Sequence, residues 1–197
     1  MKAASEKPSK ASVRAAAHAR RDALSPEIRA IASDLIALRA IDIMAAVRPR
    51  SVAAYGAIRS EVDPSRIVAA AAAAGIRVGL PAVEDDVTIT FRQYRPGDAL
   101  VAGPFGTLAP SPSAPQVDPE LMVVPLVAFD RTGMRLGHGR GFYDRAIGRL
   151  RAAGAGPRLL GIAFAVQEVA AIPSESHDVR MDWIVTENET LDFRGIG

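Results

Sequence analysis

Apolar positions along the chain follow two rhythms, one helical and one alternating or continuous. A helix is predicted over residues 12–24, and a second starts at Ser25-Pro26-Glu27. There Ser25 suits the N-cap and Pro26 the first helical position. Ile28, Ile31, Leu35 and Leu38 follow at three- and four-residue spacing, so they are expected to form that helix's buried face. Residues 64–74 read as a third helix, stopped by Gly75, and residues 141–153 as a fourth. Between them lie runs with strand character: 51–57 (SVAAYGA), 77–83 ending near Pro81, the alternating 87–94 (VTITFRQY), 159–165 and 183–186. The continuous apolar run 121–129 (LMVVPLVAF) is the pattern of a strand covered on both faces.

Strands and helices alternate. This order predicts an α/β fold, a single domain with a mostly parallel sheet flanked by helices. No internal repeat and no second domain are evident. The domain is placed at residues 10–197, after a tail at 1–9 expected to be disordered. Residues 96–119 hold six prolines and little periodicity. A loop of that length is either functional or inert, so a substrate lid and a plain crossing loop both stay open.

Composition narrows the chemistry. With 197 residues, 49% of them hydrophobic, the chain can bury one proper core. It has no cysteine, which excludes disulfides, thiolate catalysis and cysteine-bound zinc. That fits a cytoplasmic protein. The first ten residues, MKAASEKPSK, lack the apolar core of a signal peptide, and no apolar run approaches the length of about 20 needed to cross a bilayer. Neither export nor membrane association is expected.

The net charge is +2, but the base is unevenly placed: residues 1–50 carry ten Lys/Arg against five Asp/Glu. The three lysines, Lys2, Lys7 and Lys10, all lie in the first ten residues, and the remaining base is arginine. Arginine's planar fork suits phosphates and carboxylates. A nucleic-acid surface would interleave aromatics with the base, and residues 1–50 contain no Phe, Trp or Tyr.

The segment RLGHGRGFYD, residues 135–144, concentrates candidate chemistry. It follows a predicted buried strand and the turn sequence Asp130-Arg131-Thr132-Gly133, and it opens a helix. Ligands of α/β sheets bind beyond the C-terminal ends of strands. Gly137, Gly139 and Gly141 let backbone N–H groups approach an anion unobstructed. The helix N-terminus adds a positive dipole end. Arg135 and Arg140 supply positive charge. Asp144, in the first helical turn, is a hard-oxygen candidate for Mg2+. The spacing matches neither the Walker A loop nor the dinucleotide fingerprint, so the glycines alone are also compatible with a tight turn.

The longer run VPLVAFDRTGMRLGHGRGFYDR, residues 124–145, resembles the signature of the 5-formyltetrahydrofolate cyclo-ligase (methenyltetrahydrofolate synthetase) family. The likeness is collinear along nearly the whole chain. Lys10-x-x-x-Arg14, followed by Arg20 or Arg21, resembles that family's N-terminal basic helix. YGAIRSE at 55–61 resembles its substrate segment, and Phe105-Gly106 lies where it has a loop motif. Residues 160–167 and PSESHD at 173–178 resemble its last strand and C-terminal acidic turn.

The resemblance implies a NagB/RpiA/CoA-transferase-like fold. It implies that ATP and 5-formyltetrahydrofolate become 5,10-methenyltetrahydrofolate, ADP and phosphate, with Mg2+. In that family's mechanism the formyl oxygen attacks the γ-phosphate, N10 attacks the activated carbon, and phosphate leaves. Alignment and charge stabilisation matter more here than a covalent nucleophile.

Carried over by position, Lys10 and Arg14 would contact ATP phosphates. Arg135, Leu136, Gly137, His138, Gly139, Arg140, Gly141, Phe142 and Tyr143 would form the ATP loop. His138, Gly139, Arg140, Gly141 and Phe142 would also face the folate, with Gly56 and Glu61 lining the rest of its site. Glu61 would accept hydrogen bonds from the pterin N–H groups. Arg140 and Tyr143 would be catalytic, and Asp144 and Asp178 would hold Mg2+. The implied partner is the small-molecule folate, with no nucleic acid and no membrane, and the chain is expected to be a monomer or weak dimer.

Some positions depart from the family. Arg140 stands where many members have lysine; arginine keeps its proton, so any role is electrostatic. His138 reads as a packing or hydrogen-bonding group rather than a base. Ala109 occupies a position where an acid precedes proline, and Trp183 reads as core. The alternatives are a fold relative with another substrate or without this activity, and a basic nucleic-acid-binding protein.

Overall fold

The computed structural model describes residues 9–173, 175 and 178–195. Most of the tail placed at 1–9, and Ser174, Ser176 and His177 of the acidic turn, lie outside the described residues. The elements in chain order are α1 (Lys10–Asp22), α2 (Pro26–Val47), β1 (Ser51–Ala53), α3 (Ser65–Ala73), β2 (Arg77–Val83) and β3 (Ile89–Tyr94). There follow β4 (Leu100–Ala102), β5 (Leu108–Pro110), β6 (Leu121–Pro125), β7 (Ala128–Phe129), β8 (Arg135–Leu136), α4 (Phe142–Ala152), β9 (Arg158–Ile162), β10 (Trp183–Val185) and β11 (Thr190–Asp192).

Seven strands form the main sheet in the order β11-β10-β9-β6-β1-β2-β3. The inner pairings are parallel, and each edge strand is antiparallel to its neighbour. From β1 the chain moves one way to β2, then returns to place β6 on the opposite side of β1. The switch in direction therefore lies between β1 and β6, where α/β sheets open a crevice.

Alternation along the strands builds a core on each face. Leu121 and Val123 join Ile36, Ala40 and Met44 of α2 and Ile67 of α3 on one side. Met122 and Val124 join Ile147 and Leu150 of α4 on the other. α1 sits apart from both, packing Val13 and Ala17 against Val127, Ala128 and Leu136 of the small β7–β8 hairpin.

The expected buried face of α2 is wrong. Ile28, Ile31, Leu35 and Leu38 are exposed, and Ala32, Ile36, Ala37, Ala40 and Met44 face the sheet instead. Apolar residues occupy several faces of this helix, so spacing did not single one out. The alanines allow closer approach of the helix to the sheet than a row of branched side chains would.

The run read as one strand over 121–129 is two elements. β6 ends at Pro125, which has no N–H to continue a ladder. The chain then turns into β7, which pairs with β8 through Phe129 and Arg135. Asp130 holds the intervening turn: its Oδ1 accepts the Thr132 amide at 2.9 Å, and its Oδ2 accepts the Ile172 amide at 2.9 Å. The run is apolar throughout because both pieces are buried.

The proline-rich segment carries structure that its sequence did not signal. Its far end is pinned along β3, where the Gln93 amide donates to Pro115 O at 2.7 Å and the Val117 amide to Phe91 O at 2.8 Å. Its near half forms the β4–β5 hairpin, whose tip carries Phe105 at φ 62°. β11 was also missed; its three residues are short and largely exposed, so they carry no apolar pattern. Among the described residues no helix is long and apolar enough to cross a membrane.

Gly161 of β9 sits in close packing between the sheet and the turn after β6. A Cβ there would stand 2.8 Å from Leu126 Cδ1 and 3.3 Å from Ile184 Cγ1 and Met181 Cγ. Gly161→Ala is expected to destabilise the protein by about 1–3 kcal/mol through overpacking. A lower urea midpoint at unchanged slope would show it; an unchanged midpoint would mean that Leu126 moves aside freely.

Candidate active site

A cavity of about 850 Å3 opens at the crevice between β1 and β6. That volume suits a ligand of cofactor size. Its floor is the end of the sheet: Tyr55 and Gly56 after β1, Pro81 and Val83 of β2, and Val124 and Pro125 of β6. One wall is the loop 137–141 with the start of α4. Lys10 and Arg14 of α1 line the rim beside that loop, and the hairpin tip adds Phe105 and Thr107. The structure thus brings the predicted residues together from distant parts of the chain.

The glycine loop is positioned from behind. Arg14 Nε donates to Gly137 O at 2.8 Å, tying α1 to the loop. Gly139 and Gly141 have φ of 96° and 65°, the left-handed region where side chains are strained. Gly141 caps α4 with no side-chain hydrogen bond, so the first N–H groups of that helix face outward without a capping oxygen. Gly56 and Gly137 have normal φ and open space where a Cβ would be, so their effect is to leave room for a ligand.

Two of the expected ligand contacts line the cavity but have partners of their own in the fold. Arg135 is not a free phosphate cation. It is buried, with Nη2 2.6 Å from Asp144 Oδ1 and Nη1 donating to Val179 O. Leu136 sends its side chain into the α1 core cluster, leaving only its backbone for a ligand. Both sit on β8 because the hairpin turns them inward, which the glycine pattern could not reveal.

The acids are partnered too. Lys10 Nζ lies 2.8 Å from Asp178 Oδ2 and 3.0 Å from Glu175 Oε1. Burial works against that ammonium charge, but its hydrogen bonds to the two carboxylates outweigh it, and the net shift of the Lys10 pKa is upward. Asp144 gives Oδ1 to Arg135, and its Oδ2 carries no partner among the described residues. No group of three or more acids or histidines gathers there as a protein-only metal cage, among the described residues. A Mg2+ shared between one or two carboxylates and substrate phosphates is the mode this donor set fits.

Glu61 is buried and doubly engaged. His138 Nε2 lies 2.8 Å from its Oε1, and the Ile58 amide donates to its Oε2 at 3.0 Å. Tyr55 closes the same turn, its hydroxyl donating to Val62 O at 2.8 Å. The Tyr143 hydroxyl is pushed far above the usual tyrosine range, first by burial and then by the Glu61 charge. It therefore stays protonated near neutral pH and can donate a hydrogen bond, not act as a base.

Arg140 packs flat on the hairpin tip, its Cζ 3.7 Å from the centre of the Phe105 ring, and the Phe142 ring lies 6.4 Å from that of Phe105. Arginine's planar head stacks on an aromatic face in a way that suits this arrangement. Phe105, Thr107, Arg59 and Tyr55 are cavity residues that the sequence reading did not assign. Arg59 was findable, since it lies inside the YGAIRSE segment; its φ of 54° was not. Of the five Lys/Arg side chains at the cavity, Arg14, Arg59 and Arg140 have no carboxylate partner among the described residues.

Comparison with known proteins identifies the family. The model of the 5-formyltetrahydrofolate cyclo-ligase family matches residues 6–187. The 5-formyltetrahydrofolate cyclo-ligase of Mycolicibacterium smegmatis is 34% identical over 146 residues, covering 70% of this chain and 73% of that protein. The Escherichia coli enzyme of that name is 29% identical over 180 residues, covering 88% and 98%. Among solved structures, the 5,10-methenyltetrahydrofolate synthetase of Aquifex aeolicus matches with a TM-score of 0.80 at 28% identity, over 94% of this chain and 93% of that one. The Mycoplasma pneumoniae synthetase has the same fold, with a TM-score of 0.74 at 22% identity over 91% and 99%. A family match over most of the chain places this protein in the 5-formyltetrahydrofolate cyclo-ligase family.

Proposed function

We propose that this protein cyclises 5-formyltetrahydrofolate to 5,10-methenyltetrahydrofolate at the expense of ATP. One observation carries the reading: a single cavity holds three arginines without carboxylate partners and a glycine loop, together with a buried glutamate, Glu61, held by His138 of that loop. The first half suits a polyphosphate and the second a ring rich in N–H groups.

In this reading Arg14, Arg59 and Arg140 hold the phosphate chain, together with N–H groups of residues 137–141. Lys10 adds charge once its carboxylate partners are shared with the ligand. Glu61 accepts from the pterin edge, oriented by His138 and the Ile58 amide. Tyr143 donates a hydrogen bond toward oxygen that gains charge during the reaction. Asp144, through Oδ2, and Asp178 would hold Mg2+, which neutralises phosphate charge in such transfers. No side chain of the cavity need act as a nucleophile. Closure of the Phe105 hairpin over the site would exclude water, which would otherwise compete for the activated carbon. The proposed compartment is the cytoplasm.

The test is direct. Purified protein is mixed with MgATP and 5-formyltetrahydrofolate, and the methenyl chromophore is followed by absorbance. A folded protein that makes no ATP-dependent product would exclude the reading. Arg140→Ala removes a charge-assisted phosphate contact and the Phe105 stack. It is expected to cost about 1.5–3 kcal/mol of ATP interaction. That corresponds to a KM for ATP raised roughly 10- to 150-fold, and an unchanged KM would remove Arg140 from the ATP site.

A further inference from the structure

The inner face of α1 carries a group that the reaction chemistry does not call for. Arg21 is 2% exposed, a depth at which a guanidinium is costly without compensation. Its nearest carboxylate, Asp22, is 4.0 Å away. Its Nη1 is buried with no partner among the described residues. An apolar side chain would fill this space more cheaply, so the charge calls for a reason.

Its contacts supply one. Arg21 Nε donates to Ser60 Oγ at 3.0 Å, and Ser60 is the residue before Glu61. Arg21 Nη2 lies 3.3 Å from His18 Nδ1. The His18 ring lies 5.4 Å from the His138 ring, tilted by 31°. His138 Nε2 in turn meets Glu61 Oε1 at 2.8 Å. One guanidinium therefore braces both members of the Glu61–His138 pair, Glu61 through Ser60 and His138 through His18.

The hydrogen-bond inventory fixes the protons. Guanidinium nitrogens only donate, so His18 Nδ1 must present its lone pair. His18 is then neutral, with its proton on Nε2. A carboxylate only accepts, so His138 carries a proton on Nε2.

We propose that His18 and Arg21 are positioning residues that hold His138 and Glu61 in the orientation that receives the folate. Its catalytic consequence rests on the function proposed above, whereas the proton assignment does not. The charged and titratable groups facing His18 are Arg14, Arg21 and Asp22 on α1 and His138 on the loop. Burial, then Arg21 and then His138, all lower its pKa, with Asp22 opposing. Protonating His18 would oppose Arg21 and release both rings. The folded-state pKa lies below the unfolded one, so this contribution is complete above the unfolded value of about 6.5 and is lost as pH falls below it.

Two measurements test this. Long-range 1H–15N spectra of the imidazoles, assigned with His18→Ala and His138→Gln, should show His18 as the neutral Nε2–H tautomer at pH 7. In Arg21→Gln it should lose that single tautomer. A charged or Nδ1–H His18 in the wild type would overturn the proposal. If Arg21→Gln does not fold, His18→Ala decides by kinetics. The KM for 5-formyltetrahydrofolate should rise on the order of tenfold, the equivalent of one hydrogen bond, with the KM for ATP and kcat little changed. An equal loss in all three constants, or none, would mean that His18 is only structural. Wild-type protein lacking cyclo-ligase activity would sink the functional reading while leaving the tautomer result to decide the proton assignment.

Discussion

Asp144→Asn is expected to lower kcat by about 10²–10³-fold, the loss typical when one preorganised charge-stabilising group is removed. The argument rests on the two oxygens of Asp144. Oδ1 accepts from buried Arg135 at 2.6 Å, and Oδ2 has no partner among the described residues, on a cavity-lining side chain that is 26% exposed. An asparagine oxygen can still accept from Arg135, so the fold should survive. What disappears is the negative charge that would share Mg2+ with the phosphates. The variant should therefore keep its helical circular dichroism while turnover falls, and raising Mg2+ should restore part of the rate. A kcat within a few-fold of wild type would remove Asp144 from phosphate and metal handling. A parallel loss of helicity would instead make it a structural acid.

The second large effect is on stability. Arg135→Met should destabilise the protein by about 3 kcal/mol, the low end of the cost of breaking a buried pair. The low end applies because Arg135 is 5% exposed at its side chain but Asp144 is 26% exposed, so water partly compensates the stranded carboxylate. The Val179 carbonyl also loses its donor. Asp144→Asn should cost less, since it leaves the guanidinium with an acceptor. Urea denaturation of the two variants side by side checks the order. Equal midpoints would show that the pair contributes little and that Arg135 is held by its surroundings alone.

These two variants divide labour that the sequence presented as one cluster. Arg135 and Arg140 looked equivalent in RLGHGRGFYD. In the fold, Arg135 faces inward from a two-residue strand, and Arg140 lies on the surface against Phe105. The difference follows from a hairpin whose register no local pattern reveals. Likewise Glu61 and His138, 77 positions apart, meet only because β1 and β6 lie side by side at the switch point.

Local sequence determined much of the rest. The Ser25-Pro26 start of α2, the Gly75 stop after α3, the helix opening after Gly141 and the parallel strands at 77–83 and 159–162 all follow from short-range rules of capping, backbone freedom and branched apolar runs. The motif in residues 124–145 was sufficient to point to the family, because loop, charge and spacing are contiguous there. Tertiary structure decided what contiguity cannot encode. It chose the alanine-lined face of α2 over Ile28, Ile31, Leu35 and Leu38, since shape complementarity to the sheet outweighs bulk hydrophobicity when several faces are apolar. It broke the run 121–129 at Pro125, and it brought His18 and Arg21 behind Glu61. It also brought three scattered arginines to one cavity, because each had to find, or fail to find, an acid that only the folded chain could bring near.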